Sequence, residues 1–173
     1  MNQLNIDQLA TLLKQLEPGF YPYPIFEQFA RLVVFAIVEF IPLRKNGDVI
    51  EVLLLPRDEN DALWPGMLHT PGTVVRPTDS DTSSDSQPWG PFQRLYSEEL
   101  TGTKVGPLHF VGSVFHASKR GHEQAQLYWL EVLDDPAQGV FYPVNQLPDT
   151  IITSQIDFIV AAARHYEQFL AQY

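Results

Sequence analysis

Residues 64–102 set the terms on which this chain can fold. They carry Trp64-Pro65-Gly66, then His69-Thr70-Pro71-Gly72 with Val74 and Val75 behind, a polar insertion over 78–87, and Arg94-Leu95-Tyr96-Ser97-Glu98-Glu99 running to Gly102. A Pro-Gly turn therefore opens a short apolar strand, and a helix that begins among Pro88 and Pro91 stops at a glycine. Residues four apart on a helix overlie one another, so Arg94 and Glu98 share one face and Leu95 and Glu99 the next. Two adjacent glutamates fan outward with an arginine behind them. Such a pair suits a hard divalent cation such as Mg²⁺, which takes one or two carboxylates and fills its other positions with water and phosphate oxygens. It equally describes a solvated helix face with one ion pair.

The rest of the chain supplies a sheet and further helices. Residues 32–43 and 49–55 are β-branched and aromatic runs around Asn46-Gly47, and Asn-Gly provides the positive φ angles of a tight antiparallel hairpin. Residues 108–117 and 124–132 form a second pair joined by 118–123. A first helix starts at Asn5 or Asp7 and aligns Leu9, Leu12, Leu13 and Leu16 before Pro18-Gly19 ends it. Residues 20–24 run extended into a short helix over 25–31, and their aromatics serve either as core anchors or as a surface for a base. Ser154 and Asp157 make a capping box for a final helix striped by Ile156, Ile159, Val160, Ala163 and Phe169. The 78–87 segment has no apolar residue and reads as a surface loop. Its Asp79, Asp81 and Asp85 are either part of a plain insertion or carboxylates able to swing toward a cation. The element order suggests an α+β fold, an α/β/α sandwich around a mixed sheet.

With 173 residues, 45% of them hydrophobic, the chain supports one packed core. Residues 1–31 read as an N-terminal helical extension packed on the domain formed by 32–173, although the leucine face equally suits a second subunit in a homodimer. A net charge of −10 opposes binding to a nucleic-acid polymer, whose affinity comes from Lys and Arg on phosphates, and leaves a small phosphorylated ligand such as a nucleotide. The absence of cysteine excludes disulfides and thiolate metal sites. The N-terminus lacks the pattern of a secretory signal, and the longest apolar run, 32–43, is interrupted by Glu39 and too short to span a membrane. A cytoplasmic protein without membrane contact is expected.

The order of these signals resembles the Nudix hydrolase family, whose box reads Gly, five residues, Glu, seven residues, then Arg-Glu-apolar-x-Glu-Glu-x-Gly. Gly72 takes the first position, Arg94 the arginine, Tyr96 the apolar position, and Glu98 and Glu99 the paired acids. Residues 51–57 resemble the strand before the box and 110–132 the hairpin after it. Thr78 stands in place of the first glutamate, fifteen residues rather than seven separate it from Arg94, Leu95 replaces the glutamate after the arginine, and Gly102 comes one residue late.

The resemblance implies the same sandwich fold and metal-assisted hydrolysis of a nucleoside diphosphate linked to another group. Glu98 and Glu99 would hold Mg²⁺ or Mn²⁺, Arg94 would orient Glu98, and Arg57 would reach a phosphate. An acid beyond the box, here Glu123 beside His122, would help activate water. Read from residues alone, Arg57 equally pairs with Asp58 or Glu59, and Glu123 and His122 equally serve as polar turn residues. His69 hydrogen-bonds a loop carbonyl or takes part in catalysis, Gly72 lets backbone approach a ligand, and Lys119 and Arg120 steer an anion. The substitutions at Thr78 and Leu95 leave open a Nudix-fold module that has lost catalysis and keeps its pocket for a nucleotide, a sugar phosphate or a protein partner.

Overall fold

The computed structural model describes residues 3–82 and 89–172. In chain order the elements are α1 (Gln3–Leu13), α2 (Tyr23–Leu32), β1 (Phe35–Asn46), β2 (Val49–Pro56), β3 (Leu68–His69), β4 (Gly72–Val74), α3 (Trp89–Glu99), β5 (His109–Ala117), β6 (His122–Glu131), β7 (Val140–Pro143) and α4 (Ile156–Leu170). Short 3-10 turns, Pro77–Thr82 and Thr153–Gln155, precede α3 and α4.

β1 is apolar on both faces and lies at the centre of a mixed sheet ordered β3-β2-β1-β6-β5, with β4 added to β1 and β7 to β2. It runs antiparallel to β2 and parallel to β6. Alternation along β1 divides the core in two. Ile37, Ile41 and Leu43 pack with Phe158, Ile159, Ala162 and Tyr166 of α4, whereas Val38 and Phe40 pack with Leu95 of α3 and with Leu100. Trp129 of β6 fastens α4, stacking on His109 at 3.9 Å between ring centroids and meeting Tyr166 at 4.9 Å and Phe169 at 5.2 Å. Aromatic pairs of this kind add about 0.5–1.5 kcal/mol each beyond their buried area. The α+β sandwich is the expected one.

Several local expectations are revised. Asn46 pairs with Val49, so Gly47 and Asp48 are the central turn residues and only Gly47 takes a positive φ, 60°. That is the II′ pattern, with glycine at the first central position. The Ser154 and Asp157 capping box does not form: α4 is entered through the 3-10 turn, its N-cap is Gln155, and no side chain caps it. Its buried stripe also includes Phe158, Ala162 and Tyr166. Part of the 78–87 insertion is fixed, because Asp79 accepts the Arg76 backbone N–H at 2.7 Å and pairs with Arg94. Asp85 lies outside the described residues. Within the 1–31 extension, α2 is seated through buried Ala30 and a Phe26–Phe35 ring stack at 5.1 Å, while Ile6, Leu9, Leu12 and Leu13 of α1 are exposed. Among the described residues no helix is long and apolar enough to cross a membrane.

Candidate functional site

Successive helical residues point about 100° apart, and at the end of α3 that rotation separates the box residues. Leu95 is 2% exposed, in the core with Val38, Phe40 and Leu53. Glu98 faces solvent. Glu99 turns inward, its Oε2 lying 3.6 Å from Nε2 of His69, and burial pushes its carboxyl up to about 7, with Arg57 opposing and Glu98 adding to the shift. Arg94 does not reach back to Glu98 as the resemblance implied. It donates to Thr73 Oγ1 at 2.6 Å, Val74 O at 3.2 Å and Asp79 Oδ2 at 2.7 Å, bolting α3 to β4 and to the 3-10 turn before it.

A second acidic group lies beneath the sheet on the α4 side. Glu39 of β1 is buried, and its Oε2 accepts Gln155 Nε2 at 2.9 Å. Gln155 also accepts the Thr70 N–H and donates to the Thr70 carbonyl, so one amide ties β1 to the loop between β3 and β4. Burial pushes Glu39 up to about 8; Arg120 lowers it, Glu123 and Glu99 raise it, and Gln155 lowers it. Gly72 stands opposite Glu39 in the β1–β4 register, and a Cβ there would lie 2.5 Å from the carboxyl group. The close approach that requires this glycine is thus to a buried acid. Glu123, expected in a turn, is the second residue of β6 and 1% exposed. Arg120 Nε meets it at 2.7 Å and His116 Nε2 at 3.3 Å.

His69 Nδ1 lies 2.9 Å from the Thr70 carbonyl and donates to it, which leaves the Nε2 lone pair facing Glu99. Burial holds this imidazole down at about 4, helped by Arg57 and Arg120 against the Thr70 bond and Asp61. It is neutral at physiological pH. Arg57 pairs with Asp61 rather than Asp58 or Glu59, through Nε at 2.8 Å and Nη2 at 2.5 Å. Both Arg57 and Arg120 lie against the Trp64 ring, 5.7 and 5.4 Å from its centroid. Lys119 and His122 are exposed.

Two cavities meet here. The inner one, about 20 Å³, is lined by Glu39, His69, Thr70, Glu123 and Gln155 and has room for one water. The outer one, about 620 Å³, shares Arg57, Trp64, Gly72 and Arg120 with it. Among the described residues no three His, Asp or Glu side chains are grouped to hold a metal ion. With Leu95 in the core, Glu98 in solvent and Glu99 turned to His69, the box residues do not fit the Mg²⁺ or Mn²⁺ centre that the resemblance implied.

The fold has close counterparts among solved structures. A mutT/nudix family protein from Listeria innocua superposes with a TM-score of 0.58 at 18% identity, over 79% of this chain and 97% of that one. The chain has the Nudix fold. The NUDIX domain of Shewanella oneidensis NrtR, in complex with ADP ribose, matches over 96% of this chain and 99% of that one, with a TM-score of 0.56 at 16% identity. The Ap4A hydrolase of C. elegans matches over 80% and 99%, with a TM-score of 0.55 at 15% identity. No family model and no curated protein matches the sequence.

Within this Nudix fold, sequence reasoning missed Glu39, His116, Gln155 and Trp64 as members of the site. Only Glu39 left a signal. A single carboxylate inside an apolar run has to be neutralised or hydrogen-bonded when the strand is buried.

Proposed function

We propose that this protein is a Nudix-fold module that binds a small nucleoside-diphosphate ligand and has lost the family's efficient metal-assisted hydrolysis. The observation that carries this reading is the divergence of the box residues on α3. Leu95 is in the core, Glu98 in solvent, and the buried Oε2 of Glu99 has no hydrogen-bond partner among the described residues. What remains is a pair of guanidiniums at the mouth, over Glu39 and His69, which burial favours in their neutral forms. Arg57 spends Nε and Nη2 on Asp61, and Arg120 Nε lies 2.7 Å from Glu123 Oε1 as an ion pair without hydrogen-bond geometry, so each retains N–H donors for phosphate oxygens. In a chain of net charge −10, two guanidiniums flanking one indole form a local site for an anion. The complex of the NrtR NUDIX domain with ADP ribose supports this ligand class.

The test is calorimetric titration of ADP ribose in EDTA and in Mg²⁺, with product analysis of the same samples. Binding in EDTA and intact ligand in both are expected. Arg57→Gln should weaken binding by about 1.5–3 kcal/mol, roughly ten- to hundredfold in Kd. Mg²⁺-dependent cleavage that disappears in Glu99→Gln would overturn the proposal in favour of hydrolysis.

A further inference from the structure

The outer cavity is larger than a diphosphate needs, and its walls are of another kind. At about 620 Å³ it is the size of pockets that enclose organic ligands. One side comes from the segment between α1 and α2 and from α2 itself, with Phe20, Tyr21, Tyr23, Phe26 and Phe29; the other comes from Trp64 and residues 72–77. Phe20 lines the cavity and is 79% exposed, so its ring has little packing of its own. The Arg76 guanidinium lies 5.9 Å from the centroid of that ring and has no carboxylate partner among the described residues. Arg57 and Arg120 also line this cavity and belong to both. Flat apolar faces next to guanidiniums fit a planar ring covalently joined to an anion.

Resting on the proposed function, we infer that residues 20–29 form a base-recognition chamber, in which the base of the nucleoside diphosphate stacks on Phe20 and Tyr23 while its phosphates reach Arg76, Arg57 and Arg120. Stacking a base on an aromatic face tolerates any base, since each has a π-face. The chamber therefore selects for the presence of a base more than for its identity. The chain between the first two helices becomes part of the ligand site.

Calorimetry with ADP and with ribose 5-phosphate, which carries the sugar and one phosphate without the base, tests this on the wild type, the Phe20→Ala, Tyr23→Ala double variant, and Arg57→Gln, the loss in the double variant isolating the base. ADP should bind the wild type more tightly than ribose 5-phosphate. The aromatic double variant should weaken ADP about tenfold or more and leave ribose 5-phosphate unchanged. Arg57→Gln should weaken both. Phe20 is exposed, so its truncation leaves the core intact, and an unchanged melting temperature verifies the double variant's fold. Equal binding of the two ligands, or ADP affinity unchanged in the double variant, would overturn the chamber and leave the diphosphate site standing. Failure of ADP, ADP ribose and ribose 5-phosphate alike to bind the wild type would overturn the proposed function and the chamber together.

Discussion

Glu98 and Glu99 are neighbours in the chain and part company in the fold, whereas Glu39 and Glu123 come from strands remote in sequence and line one small cavity. The helical rotation between adjacent residues sends one of the first pair to solvent and one inward. Parallel pairing of β1 with β6, with Phe35 opposite Glu123, sets the second pair on the same face of the sheet. Adjacency in sequence marks a site only where the backbone period brings both residues to one place. Here the box pair is half dispersed, and two buried acids, Glu39 and Glu123, come together from separate strands.

Four substitutions or conditions would break or sharpen that contrast. The largest effect is expected from Leu95→Glu, which restores the box letter but puts a carboxyl into the core with Val38 and Phe40. It should cost about 3–5 kcal/mol in urea unfolding. A variant that stayed stable and gained Mg²⁺ affinity would show that α3 still supports a metal centre. Arg120→Met comes next, because it leaves Glu123, 1% exposed, without its cation. Discounted for the one-fifth exposure of Arg120, the loss should be about 2–3 kcal/mol, and adding Glu123→Gln should recover most of it. Denaturant midpoints of the single and double variants measure both.

The pH response is expected to be smaller and its sign is fixed. Glu39 and Glu99 have folded values raised to about 8 and about 7, so their stabilising contribution is full below the unfolded carboxylate value near 4.5 and is lost as pH rises through the folded values. His69, lowered to about 4 from 6.5, acts oppositely, losing stability as pH falls through that window. Above pH 6.5 His69 is neutral folded and unfolded, so between pH 6.5 and 8 the melting temperature should fall. The slope is bounded by about 1.4 kcal/mol per pH unit for each group. Glu39→Gln keeps an acceptor for Gln155 and should flatten that slope; an unchanged slope would mean that Glu39 is ionised in the folded protein. The smallest effect is expected from exposed Glu98→Gln, within about 0.5 kcal/mol in stability and without change in ADP ribose affinity.

Much of the architecture was legible because it rests on local signals. The two hairpins and the terminal helix follow from apolar periodicity and turn residues, and the order of the motifs pointed to the sandwich. What escaped the sequence depends on tertiary partners. The capping-box pattern at Ser154 and Asp157 gave no hint that Gln155 would serve Glu39 and Thr70. Arg94 could be matched to a box position, but its engagement with Thr73 and Asp79 depends on how the insertion folds back. Glu39 was visible only as an interruption in an apolar run.

Gly121, between β5 and β6, has a φ of 144°, and a Cβ there would lie 2.4 Å from the carbonyl oxygen of Ala30 in α2. The hairpin tip carrying Arg120 is therefore held directly against the helix that carries Phe26 and Phe29. With the inferred stacking residue Tyr23 on α2 and Arg120 at the hairpin tip that touches it, the distance between them is a built-in gauge. It sets how long a ligand must be to satisfy both.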